Sequence, residues 1–139
     1  MQRVGINNVQ SHALFYLPTL SSGVFHYLLL LCAFALLCLC AYLSSYDKWS
    51  NKVQKTIGYQ VIRSSDSIAA NIAEGYGRYT PADRKKFYLY SRGSFEETKS
   101  WLRKLIRRKV LSESSVAEYK TIIEKLGPKL NSFINSTRE

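Results

Sequence analysis

Apolar positions recur at helical spacing through most of the chain. Ile57, Val61, Ile68 and Ile72, with Ala69 and Ala73 beside them, share one face of a 3.6-residue period, which predicts a helix over 56–74. Phe87, Ser91, Ser94, Thr98, Trp101 and Leu105 follow in alternating steps of four and three, flanked by Tyr88, Phe95 and Leu102, and predict a helix over 81–109. Val116, Tyr119, Ile123, Leu126, Leu130 and Phe133 repeat the pattern and predict another over 114–134. Such spacing is the seam of antiparallel helices packed side by side. Upstream lies VFHYLLLLCAFALLCLCAYL, an uncharged apolar run over 24–43, read as part of a helix over 24–46. The whole predicts an all-α, antiparallel up-down-up-down four-helix bundle with 1–23 as an N-terminal extension and 24–139 as the bundle domain. The expected core is Ile57, Val61, Ile68, Ile72, Phe87, Phe95, Leu102, Leu105, Ile123, Leu126 and Leu130.

Local signals fix the ends. Gly75 follows the last periodic residue of the 56–74 helix, where a left-handed glycine commonly stops a helix, and Gly77 tightens the turn. Thr80-Pro81-Ala82-Asp83 places a hydroxyl at the N-cap, proline at the first helical position and a carboxylate three residues after the cap. Small residues (Ser65, Ala69, Ala70, Ala73) let a neighbouring helix approach. Gly93, inside the 81–109 helix, costs about 1 kcal/mol against alanine and suggests another backbone close by; the bland reading is a tolerated small residue. Gly127-Pro128 interrupts the last helix, and proline removes one backbone hydrogen bond there. Ser44–Lys55 reads as a polar connection, with Trp49 as a packing anchor.

Two residues of the 56–74 helix fit its pattern poorly. Asn71 lies in an apolar run, and Glu74 lies on the last turn, where the helix dipole disfavours an acid by about 0.3–1 kcal/mol. Either they are a boundary amide and a solvated acid, or Glu74 clamps an arginine, with Arg78 or a residue of the next helix as the candidates.

The charge is unevenly placed. Net charge is +10, yet residues 1–46 contain only Arg3, and Arg78–Lys109 hold 11 basic and 3 acidic side chains. At 100° per residue Lys85, Arg92, Lys99, Arg103 and Arg107 fall within an arc of about 80°, interrupted only by Glu96. Arg108 joins Arg107 at the helix end, where the dipole favours bases. A solvated face explains part of this, but solubility alone usually mixes signs. The stripe points to an anionic partner: RNA or DNA held by its phosphates, or an acidic protein.

The apolar run leaves three readings open. Twenty residues span a bilayer as a helix, and the basic flank would place the C-terminal part in the cytoplasm, giving an inner-membrane anchor. The second is a very apolar helix buried between subunits, and the third is that the residues before about Leu43 are a divergent extension or a misassigned start in place of a first bundle helix. Cys32, Cys38 and Cys40 all lie in this run, in no zinc-like spacing and no disulfide framework, which fits a reducing compartment such as the cytoplasm.

No catalytic set stands out. His12 and His26 have no acid near in sequence, and Gly75-Tyr76-Gly77 is too short for a phosphate loop. Glu96 and Glu97 point about 100° apart and sit beside bases, so they read as surface ion pairs. No enzyme activity, cofactor, metal or small-molecule substrate is expected. Tyr76, Tyr79, Tyr88 and Tyr90 read mainly as packing, with base stacking as the lesser reading.

The stretch SSDSIAANIAEGYGRY over 64–79, followed by YSRGSFEETK over 90–99 and PKLNSFINS over 128–136, resembles the 23S rRNA intervening-sequence proteins, a four-helix bundle family. The resemblance implies the bundle fold and a ring-like homo-oligomer, a homopentamer. It implies no settled biochemical function. It departs from the family's pattern in the first helix, whose outer face here carries no charge. Two functions follow as expectations: an oligomeric basic module on nucleic acid, or a structural or protein-interaction scaffold, membrane-tethered or not, with an acidic partner.

Overall fold

A computed structural model of the chain describes residues 46–137. The expected helix over 24–46, the membrane reading of Val24–Leu43 and the extension 1–23 lie almost wholly outside the described residues. Within them the chain is all-helical: α1 (Tyr59–Tyr76), α2 (Pro81–Arg107) and α3 (Glu113–Ser136). A short helical turn, Asn51–Val53, and a π-helical turn, Gln54–Gly58, run continuously into α1. The helix therefore begins earlier than the polar sequence of Ser44–Lys55 suggests. The cause is packing on Gly58: a Cβ there would lie 2.9 Å from the Tyr46 ring and 3.2 Å from that of Trp49. Gln54 Nε2 donates to the Tyr46 carbonyl (2.8 Å), and the Tyr46 hydroxyl donates to the Gln54 carbonyl (3.1 Å), which locks this entry. Trp49 is buried, as a packing anchor should be.

Successive helices run antiparallel. Ser91 Oγ on α2 donates to the Ile68 carbonyl of α1 (2.8 Å), and Thr98 Oγ1 meets Ser64 Oγ (3.0 Å). These hydroxyls are buried, and each has a partner, so their burial is not left uncompensated. The small residues at the α1–α2 contact are Ser64, Ser91 and Gly75; Ser65 is buried and bonds back to the Ile62 carbonyl, while Ala70 and Ala73 face outward. The core has two parts. Ile68, Ile72, Tyr88, Phe95, Leu126, Leu130, Phe133 and Ile134 form one. Trp49, Ile57, Val61, Leu102, Leu105 and Tyr119 form the other, and Ile123 packs against both.

The seam of α2 is turned from its expected position. Tyr88, Ser91, Phe95, Thr98, Leu102 and Leu105 are buried, whereas Phe87, Ser94 and Trp101 are only half-buried. This rotates the packed face by about 50° on a helical wheel. Two glycines explain it. A Cβ on Gly75 would sit 2.6 Å from the Tyr88 ring, and one on Gly127 would sit 3.3 Å from that of Phe95. Each glycine admits an aromatic ring that a larger residue would exclude. Pro128 lies inside α3, which continues through it to Ser136.

The helix ends also depart from expectation. The chain turns after Tyr76 with Gly77 at φ −72°, and no described glycine has a positive φ. Gly75 is thus a close-approach glycine inside α1 and not a left-handed stop. The left-handed residue is Lys109, at φ 55°. The Val110 N–H reaches the Leu105 carbonyl (3.1 Å) and the Lys109 N–H reaches that of Ile106 (2.9 Å), which is the Schellman end of α2. Ser112 caps α3 by accepting the Ser115 N–H (3.2 Å).

Candidate nucleic-acid interface

The α1–α2 turn is held by side chains as much as by backbone. Arg78 pairs with Glu74 one turn back, which is the clamp reading of Glu74. The same guanidinium lies 4.4 Å over the Phe87 ring. Arg84 donates from Nε to the Arg78 carbonyl (2.7 Å), tying the first turn of α2 to the connection. Thr80 accepts the Asp83 N–H (3.1 Å), and its hydroxyl donates to the Asp83 carboxylate (2.8 Å). Asn71 is half-buried and donates to the Ser67 carbonyl (2.7 Å), which makes it a boundary amide. Burial pushes the Tyr88 phenol above its usual range, opposed by the nearby Arg84 charge. Arg84 was not legible as a clamp in sequence, because its partners are backbone carbonyls that the fold brings within reach.

The turn gives a paired prediction. Gly75→Ala should destabilise by about 1–3 kcal/mol, because its Cβ would meet both the Tyr88 ring and, at 3.1 Å, the Arg84 carbonyl. Gly77→Ala should be neutral or stabilise by up to about 1 kcal/mol, since Gly77 already has a negative φ and only ordinary contacts. Chemical denaturation of the two variants separates them.

Along α2 the structure sorts the predicted stripe. Arg92, Arg103, Arg107 and Arg108 are exposed and make no ion pair among the described residues. Lys85 is half-buried. Lys99 is held by both oxygens of Glu96 at 2.8 Å and lies 5.2 Å from the Phe95 ring centre, so it is the least available member. All three acids of α2 are engaged locally. Asp83 serves the cap and Glu96 holds Lys99. Glu97 lies 3.8 Å from Arg63 of α1 and accepts from Trp101 Nε1 at 3.1 Å. None of them is aimed at the four arginines. Gly93 is exposed, with no described residue within 4 Å of a Cβ built there, so no helix of the described chain explains it.

Beside the stripe, α2 and α3 leave a groove of about 190 Å³ with Leu102, Ile106, Val116 and Ile123 in its walls and Lys99, Arg103 and Lys120 on its rim. Among the described residues no group of three His, Cys, Asp or Glu is placed to hold a metal ion. Among them also, no helix is long and apolar enough to cross a membrane.

Among the described residues, fold and surface together define an all-helical unit with one strongly basic helix. The sequence profile described as 23S rRNA-intervening sequence protein matches residues 34–132, and the chain belongs to that family. The match begins inside the apolar run. A crystal structure from Bacteroides thetaiotaomicron, described as a protein with unknown function from the S23 ribosomal protein family, superposes with a TM-score of 0.70 at 23% identity. The superposition covers 79% of this chain and 99% of that one, and supports the fold. A search of curated proteins returns no match.

Proposed function

We propose that the protein is a non-enzymatic, oligomeric four-helix bundle that binds RNA or DNA through phosphates without reading sequence. One observation carries this: Arg92, Arg103, Arg107 and Arg108 stand exposed on α2 while every acid of that helix is occupied elsewhere. Unopposed guanidiniums suit phosphate, which they contact in a planar, bidentate way. Phosphate contacts fix position and carry no sequence information. A ring of subunits, with the pentamer as the expected form, would join the stripes into one positive band. The groove beside the stripe favours a second reading, in which an acidic protein segment with aliphatic side chains docks there.

Retention on heparin and a gel shift with labelled RNA test the proposal. The expected result is elution at high salt and a shift that unlabelled DNA of unrelated sequence competes away. Elution at low salt with no shift would overturn it in favour of the protein partner.

A further inference from the structure

Of the four tyrosines around the α1–α2 turn, only Tyr88 packs as expected. Tyr79 is 95% exposed and Tyr90 48%. Tyr79 immediately precedes the N-cap of α2, and the neighbouring Arg78 carbonyl is held by Arg84, so its backbone is fixed while its ring packs on almost nothing. Tyr90 stands edge-on to Phe87, with ring centres 5.6 Å apart at 83°. Two of the rings each have a cation beside them: Arg78 lies over Phe87 and Lys86 lies 5.9 Å from the Tyr90 centre. Residues 74–92 hold five basic side chains and two acids, Glu74, which pairs with Arg78, and Asp83, which the cap consumes, so the segment stays net positive. An aromatic patch meant for an apolar protein surface would not carry this charge. Rings for flat apolar faces, with cations nearby for anions, match nucleotides whose bases are unpaired.

We propose that this end of the domain, centred on Tyr79 and Tyr90, is a stacking platform for unpaired bases, so that the nucleic acid taken is single-stranded. The proposal rests on the phosphate-binding reading of α2 and adds the form of the ligand to it. In a duplex the base faces are already stacked, and the tyrosines would find only edges and backbone. Any base offers a π face, so stacking adds affinity without sequence preference. Gly93 gains a role here. On the helical wheel it falls between Arg92 and Tyr90, and its bare, open backbone gives a strand passage from the arginine stripe to the rings.

The test is fluorescence anisotropy with labelled oligothymidylate and oligouridylate, and with a mixed-sequence DNA duplex of the same length. The full chain is used as parent, as Tyr79→Ala/Tyr90→Ala and as Tyr79→Phe/Tyr90→Phe. The parent should prefer the single strands. The double alanine variant should lose roughly tenfold or more on them while its duplex binding stays put, and the phenylalanine variant should bind like the parent. Circular dichroism and light scattering on each variant confirm an unchanged fold and mass. Equal parental affinity for single strand and duplex would overturn the proposal. So would an alanine variant that binds single strands as the parent does, or one that changes the assembly state, which would make the patch an interface between copies. If the α2 arginines prove necessary and the tyrosines do not, only the platform fails. If the parent binds no oligonucleotide, the phosphate reading fails with it.

Discussion

Phe95→Ala should lower the stability of the protein by about 3–5 kcal/mol. Phe95 is buried among Ile68, Ile72, Leu126 and Leu130, at the point where all three described helices meet. The chain has shaped itself around this ring. Gly127 on α3 leaves room for it, with a built Cβ only 3.3 Å from two of its carbons. Removing the ring therefore leaves a cavity opposite a residue that has no side chain to fall into it, so relaxation is small. For a domain stable by about 5–15 kcal/mol, the loss takes a large share of the total. Urea unfolding followed by far-UV circular dichroism reads it as a lower midpoint with a similar slope. A loss below about 1 kcal/mol would mean that α3 does not pack on Phe95 as described.

Changing Arg92, Lys99, Arg103 and Arg107 together to glutamate should abolish nucleic-acid binding while the helical signal stays intact. The effect is large because each reversal both removes an attraction and adds a repulsion. The four changes turn the stripe from strongly positive to strongly negative. Stability should change little, since the three arginines are exposed and unpaired among the described residues, and an exposed pair such as Lys99 with Glu96 contributes about 0–1 kcal/mol. Gel shift and circular dichroism on one preparation check both halves. A variant that binds as the parent does would reduce the stripe to a solvated face.

The helices were legible in sequence because their periodic apolar positions and the Thr80-Pro81 start are local signals. The rotation of α2 was not. Phe87 and Tyr88 are equally good core candidates by composition, and only the gaps at Gly75 and Gly127, far away in sequence, choose Tyr88 and Phe95. The same holds for the glycines themselves. Gly75 looked like a left-handed stop, but it is a contact site, and the left-handed position fell to Lys109, which no composition rule would pick. The stripe, the Glu96–Lys99 pair and the cap role of Asp83 could be placed from sequence, yet the partner of Glu97 could not be, because it turns to Arg63 on another helix. The tyrosines failed in the opposite sense: clustering suggested packing, and three of the four, Tyr76, Tyr79 and Tyr90, are exposed.

The most direct test of phosphate binding by α2 is the salt dependence of affinity for a single-stranded oligonucleotide, measured by anisotropy between 50 and 200 mM salt. With about four phosphates neutralised per protomer, the slope of log affinity against log salt should be about −3, a loss of about 50-fold across that range. The glutamate variant should show no measurable binding at either end. Parent affinity that stays level from 50 to 200 mM would contradict the account, because counterion release is unavoidable wherever arginines replace salt on phosphate.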